Sequence, residues 1–336
     1  MISIAPLPDD PTVDRTLSSV PPGAKVLWVT SNGGHLTELA ALATMLDASA
    51  ESVWVTFDTP QSERFLQGRR HHYVDYVAPR DLGAALRAAR QVAPLLRREH
   101  FDLCISTGAA VAATVLPMAA VAGIPTYYVE SLARGEGPSF TGRLLQRAPG
   151  VRTLSQYPEW ASARWPCTPS TLDGWTVAQT RPRPRSLRML VTLGTMQGYR
   201  FDRAVDAVRT MLRPGDEVTW QLGCTTRTDL PGEVLGEVCQ LRLNAIADRA
   251  DVVVSHSGVG SVLQQLELGK SPVLAVRSAK HREHVDDHQR QFARTTSSRG
   301  LTSVLDLDAP RREVLEAAAA RTVYRATDLV PLGAAA

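Results

Sequence analysis

The chain has 336 residues, 44% of them hydrophobic and 21% charged, which suits about two domains of roughly 150 residues, each with its own core. Thirty-seven basic residues against 34 acidic ones leave a formal charge of +3, too even a balance for a nucleic-acid sleeve or an acidic tail. Only Lys25, Lys270 and Lys280 among the basic residues are lysines, an arginine excess that suits phosphate or carboxylate contacts but that codon usage also produces.

The first residues carry Asp9, Asp10 and Asp14, several prolines and no apolar run, so they are not a signal peptide, and residues 1–22 read as a disordered lead-in. From Lys25 onward, apolar runs flanked by turns alternate with stretches of helical period, the pattern of parallel βαβ units. In the first half strands are expected at Val26–Thr30, Val53–Phe57, Leu103–Ser106 and Tyr127–Val129, with a weaker one at Tyr73–Val77. Leu82–Arg98 reads as an amphipathic helix with Leu82, Leu86, Val92, Leu95 and Leu96 toward the core and arginines outside. Leu103–Val129 is free of charge and long enough to cross a bilayer. Gly108, Pro117 and Gly123-Ile124-Pro125 interrupt it, however, so it reads as strand, Ala-rich helix and strand buried in an α/β sheet.

The prolines of Arg181-Pro182-Arg183-Pro184-Arg185 mark a stiff, exposed linker. The expected domains are residues 23–178 and 189–324, joined by residues 179–188. In the second, strands are expected at Met189–Leu193, Val218–Leu222, Val252–Ser255 and Val273–Val276, and helices at Arg200–Leu212, Val259–Leu268, Val285–Arg294 and about Arg311–Arg321. Residues 325–336 read as a disordered tail. Cys104, Cys167, Cys224 and Cys239 lie far apart without a C-x-x-C, which argues against a zinc site, a redox motif or a disulfide framework.

Three loops carry chemistry. Ser31-Asn32-Gly33-Gly34-His35 follows the first strand, where paired glycines permit a tight turn with free N–H groups. His35 there is either a base able to take a proton from a hydroxyl nucleophile or a cap of its own helix. Val191-Thr192-Leu193-Gly194-Thr195 occupies the equivalent place in the second half. Ser255-His256-Ser257-Gly258-Val259-Gly260-Ser261 opens the helix after a later strand and reads as a diphosphate cradle, with helix-capping serines as the alternative. Downstream, Glu283–Gln289 concentrates polar groups at a helix start. His284 and His288 there lack the H-E-x-x-H order of a zinc site. The D-x-D at Asp306-Leu307-Asp308 reads as a helix N-cap rather than a metal motif.

In this order the motifs resemble a glycosyltransferase family. Ser31–His35, Glu130-Ser131-Leu132-Ala133-Arg134 and Ser139–Leu145 are similar to the PssD-type subunit of bacterial polysaccharide glycosyltransferases. Val191–Thr195, Ser255–Ser261, Leu268-Gly269-Lys270 and Glu283–Gln289 are similar to the partner PssE-type subunit, with MurG a more distant relative. The chain thus resembles both subunits fused, over about residues 25 to 320, and no obligate partner subunit is expected.

The resemblance implies an α/β, GT-B fold of two Rossmann-like doubly wound domains with an interdomain cleft. It implies inverting transfer from a UDP-sugar to a polyprenyl-diphosphate-linked saccharide, with no cofactor or metal, in the cytoplasm or on the inner face of the membrane. By motif, His35 is the catalytic candidate, and Gly33, Gly34, Glu130 and Arg134 lie on the acceptor side. Gly194, Thr195, Ser257, Gly258, Gly260, Ser261, Gln264, Asp287, His288 and Gln289 form the donor side. Gln264 stands where the family carries a glutamate expected to hold the ribose diol, and Glu267 at i+3 is a partial substitute. Other readings of the residues are a transferase acting on a soluble natural product, a UDP-sugar epimerase and a non-catalytic nucleotide-sugar-binding module.

Overall fold

A computed structural model of the chain describes residues 12–14, 17, 20–78, 81–180, 182, 184–194, 198–236, 238–283 and 288–325. It divides into two compact units, Met1–Thr171 and Leu172–Ala336.

The first unit contains β1 (Val26–Thr30), α1 (Gly34–Ala43), β2 (Val53–Phe57), α2 (Pro60–Phe65), β3 (His71–Val74), α3 (Leu82–Arg98), β4 (Leu103–Gly108), α4 (Ala112–Val121), β5 (Thr126–Val129), α5 (Phe140–Leu145) and β6 (Val151–Leu154). Its strands form one parallel sheet in the order β3-β2-β1-β4-β5-β6. Every residue of β1, β2, β4 and β5 is buried, as a sheet covered on both faces requires. The period of two sends Val26 and Trp28 to one core with Leu36, Leu39 and Trp54, and Leu27 and Val29 to the other with Val92 and Val115.

The uncharged run from Leu103 to Val129 is β4, α4 and β5, and no helix among the described residues is long and apolar enough to cross a membrane. Helix α3 spans the residues expected, but its buried stripe is Ala84, Ala85, Ala88, Ala89 and Val92, while Leu86 is 52% exposed. Small side chains on that stripe let α3 lie close against the sheet and α4. Part of the expected lead-in is ordered: Asp14 accepts a 2.8 Å hydrogen bond from Arg152 and Leu17 is buried.

The second unit contains β7 (Trp175–Gln179), β8 (Arg188–Thr192), α6 (Asp202–Thr210), β9 (Glu217–Gln221), β10 (Glu233–Leu235), α7 (Gln240–Arg249), β11 (Val252–His256), α8 (Val259–Glu267), β12 (Val273–Ala275), α9 (His288–Ser298), β13 (Ser303–Val304), α10 (Arg312–Ala319) and β14 (Arg321–Arg325). Six strands form a parallel sheet in the order β10-β9-β8-β11-β12-β13, the same winding as in the first unit. Its core joins Val191, Val205, Trp220, Val254 and Leu315. A buried bidentate pair, Arg312 with Asp216 at 2.6 and 3.0 Å, ties α10 to the entry of β9.

The compact units divide between Thr171 and Leu172 because β7 pairs antiparallel with β14 and so belongs to the second unit. The segment expected to open the linker therefore begins as a strand, and Arg325, expected in the tail, ends one. Asp306 accepts from the N–H groups of Asp308 and Ala309, but α10 starts only at Arg312, so the D-x-D closes a turn and does not cap the helix.

Candidate active site

In each six-stranded sheet the strand order reverses between its first and fourth strands in sequence, β1 with β4 and β8 with β11, and the loops leaving those strands flank a switch point. The three motif loops leave these strands.

In the first unit, Gly33 has φ 72°, a conformation that disfavours side chains, and it turns the chain from β1 into α1. Gln61 grips this peptide at both ends, its Oε1 accepting from the Gly33 N–H at 2.6 Å and its Nε2 donating to the Gly33 carbonyl at 3.2 Å. The Gly33 N–H is therefore engaged. Gly34 opens α1, whose N-terminus has no side-chain cap. His35 is half-buried and its ring lies over Gly108 at the end of β4, where a Cβ would come within 2.9 Å of the imidazole Cε1. Its Nδ1 is buried without a hydrogen-bond partner among the described residues. Burial holds the imidazole below its ordinary pKa of 6.5; the Thr107 backbone offsets part of this, and the charge of Arg134 adds to the lowering. His35 is thus kept neutral, the form that accepts a proton. The N-cap position of α1 is held by Gly33, and Arg134 is close enough to act on His35 electrostatically.

Glu130 is buried, and its carboxylate accepts from the N–H groups of Ser131 and Ser139 at 3.1 and 2.8 Å and from the Tyr128 hydroxyl at 3.1 Å. These bonds place it inside the loop after β5. Beside it lies Glu38, one turn along α1 from His35. Its carboxylate accepts from the Leu132 N–H and Ser131 hydroxyl at 2.7 Å each and from Gln156 Nε2 at 2.8 Å. Burial pushes Glu38 up to about 7, against those bonds. Glu38 thereby couples α1, which carries His35, to the loop that carries Arg134. Sequence reasoning missed Glu38, Gln61 and Gln156; the i+3 spacing of Glu38 from His35 was the available signal.

In the second unit, Gly194 has φ 76° and follows β8, and His256 ends β11. A Cβ at Gly194 would lie 2.7 Å from the His256 Cε1, and one at Gly258 2.5 Å from its Nε2. The ring thus fills the space that two glycines leave open. The relation mirrors the first unit, where a histidine after the first strand covers a glycine ending the fourth. The N-cap of α8 is Gly258, which has no side chain to cap the helix, and Gly260 and Ser261 lie in its first turn. Orphan N–H groups of such a turn favour an anion.

The Ser257 hydroxyl donates at 2.9 Å to the carbonyl of Gln289 in α9, bringing two donor-side candidates together. The Gln289 Oε1 is buried without a hydrogen-bond partner among the described residues. Gln264 lies half-buried on α8, and Glu267 pairs with Arg325, so that carboxylate is occupied. Thr195 and Asp287 lie outside the described residues, as does the side chain of His288, whose backbone begins α9. Among the described residues no group of three His, Cys, Asp or Glu side chains could hold a metal ion.

Residues 239–304, which include the α8 turn, match the Glycosyltransferase family 28 C-terminal domain. The UDP-N-acetylglucosamine–N-acetylmuramyl-(pentapeptide) pyrophosphoryl-undecaprenol N-acetylglucosamine transferase of Parasynechococcus marenigrum (strain WH8102) is 28% identical over 253 residues, 69% of this chain. That alignment spans 66% of the relative, just under two thirds of its length. Among solved structures, MurG of Acinetobacter baumannii has a TM-score of 0.54 at 17% identity, over 87% of this chain and 89% of its own. SnogD of Streptomyces nogalater has a TM-score of 0.53 at 16% identity, over 89% of this chain and 92% of its own. The chain has the GT-B fold, and residues 239–304 of its second unit match the family 28 C-terminal domain.

Proposed function

We propose that the chain transfers a sugar, with inversion and without a metal, from a UDP-sugar to a polyprenyl-diphosphate-linked saccharide at the inner face of the membrane. It would combine in one polypeptide the PssD-like acceptor half and the PssE-like donor half, and serve polysaccharide assembly. The observation that carries this reading is the uncapped N-terminus of α8, entered through Ser257 and Gly258 within the family 28 region. The name of the 28% identical relative, which specifies a UDP-linked donor and an undecaprenol-linked acceptor, supports the substrate classes.

In the proposed reaction an acceptor hydroxyl attacks the anomeric carbon in line. The new carbon–oxygen bond forms as the bond to the β-phosphate oxygen breaks, and the hydroxyl proton passes to the neutral His35 imidazole. The N–H groups at the start of α8 receive the charge that develops on UDP, at no reorganisation cost. Ser257 contributes by fixing the turn to α9, because its hydroxyl proton is committed to Gln289. The Gln289 Oε1, without a partner among the described residues, is suited to accept from a sugar hydroxyl.

A thermal-unfolding panel of UDP-glucose, UDP-galactose, UDP-N-acetylglucosamine, UDP-glucuronate and GDP-mannose tests the donor class. A ligand present at about 100 times its Kd adds about 2.7 kcal/mol. Stabilisation by at least one UDP-sugar in the presence of EDTA is expected; stabilisation by GDP-mannose alone, or only with a divalent cation, contradicts the proposal.

A further inference from the structure

Arg277 lies just past β12 and is 2% exposed. Its Nη2 donates to the Leu193 carbonyl at 2.8 Å, and its Nη1 donates to the carbonyls of Tyr199 and Glu283 at 2.9 and 3.0 Å. The guanidinium carbon sits 4.7 Å from the centroid of the Phe201 ring. Leu193 directly follows β8, Tyr199 shortly precedes α6, and Glu283 precedes α9 in sequence. One buried cation therefore holds carbonyls from three places in the chain.

The neighbouring Glu283 carboxylate is directed elsewhere, accepting from the Ser278 N–H and from Arg203 at 3.0 Å each. Arg277 is thus matched at contact distance by main-chain carbonyls. A buried guanidinium held this way is costly, and burial lowers its pKa. Holding three carbonyls together needs several donors in a fixed fork, which arginine supplies and an apolar side chain does not. A full positive charge retained beside the end of β8 also acts strongly where water is excluded.

We propose that Arg277 is a positioning residue for the nucleotide diphosphate: through the carbonyls of Leu193, Tyr199 and Glu283 it braces the residues that follow β8 and those that precede α9, and its charge favours the anion that the donor side receives. This rests on the UDP-sugar reading given above.

Calorimetric titration with uridine, UMP and UDP separates the two claims. If the wild-type chain binds none of the three, the donor reading fails and the bracing claim falls with it. If it binds UDP, Arg277→Met is expected to weaken UDP by at least about tenfold, the scale of one charge-assisted contact, and uridine by less than about threefold. Arg277→Lys, which keeps the charge and loses the fork, should lie between. An equal loss for all three ligands marks a merely structural role and overturns the proposal, as does no loss. Amide exchange in the wild-type chain gives a test independent of the variants' folding. UDP should protect residues 198–199 and 283–289 together and more than uridine does, and protection of only one segment, or of neither, contradicts the proposal.

Discussion

The Glu38 carboxylate accepts a 2.7 Å hydrogen bond from the N–H of Leu132, so the helix that carries His35 is fastened to the loop that carries Arg134 through a buried acid. Burial raises this carboxyl from 4.5 to about 7. The folded state therefore holds a proton that the unfolded chain releases between those values, and stability falls as pH rises from about 4.5 to about 7, by up to about 3 kcal/mol. Glu38→Gln keeps acceptors for Leu132 and Gln156 and offers an N–H to Ser131. It should flatten the pH dependence of Tm over that window, which thermal unfolding at pH 5, 6, 7 and 8 checks; an unchanged slope would be against it.

Gly108 lies at φ 118° beneath the imidazole of His35. Gly108→Ala adds both backbone strain and a methyl 2.9 Å from the ring, and should cost about 1–3 kcal/mol while displacing His35. Transfer should therefore fall by more than the loss of folded protein explains. In the wild type, the acid limb of kcat/KM should lie below pH 6.5, since the imidazole resists protonation. A limb above 7 would mean that another group is being titrated.

Gly258 and Gly194 both touch His256, but their backbones differ: Gly258 has φ −84° and Gly194 φ 76°. Alanine at Gly258 is a purely steric insult, 2.5 Å from Nε2, whereas alanine at Gly194 is strained regardless of the ring. His256→Ala should accordingly restore most of the stability lost in Gly258→Ala, leaving about 1–3 kcal/mol of the loss in Gly194→Ala. Denaturant titration of the single and double variants measures the two couplings; equal rescue in both would refute the distinction.

Gln264→Glu restores a carboxylate where the resembling family keeps one. Replacing a neutral acceptor by a charged one is worth about 1 kcal/mol, so UDP should bind about fivefold more tightly, with uridine gaining as much because the contact is to ribose. A gain confined to UDP would place the residue against the phosphates.

The alternation of buried strands and helices was legible wherever local pattern and tertiary role agree. β1, β2 and α3 have the bounds expected, because uninterrupted apolar runs and a helical period report burial directly. β6, β7, β10, β13 and β14 were not legible: they are short or lie at edges, and in β14 the pattern Arg-Thr-Val-Tyr-Arg leaves only Val323 fully buried. Motif spacing located the loops that carry His35, Gly194 and Gly258. It did not reveal the groups that hold those loops, since Glu38, Gln61 and Arg277 act through partners far away in sequence, and a lone polar residue on an apolar face carries no local signature. Glu130 illustrates the converse, a residue singled out by motif whose carboxylate serves the interior of its loop.

The central claim is that His35 takes the proton as a sugar passes from a UDP-sugar to a polyprenyl-diphosphate-linked acceptor. Single-turnover transfer of radiolabelled sugar to that acceptor, by the wild-type chain and by His35→Ala, tests it most directly. Lipid-linked product is expected from the wild type and a rate lower by roughly 10²–10⁴ in the variant, with UDP affinity unchanged. A near-normal rate in His35→Ala, or label appearing only in water-soluble product, would contradict it.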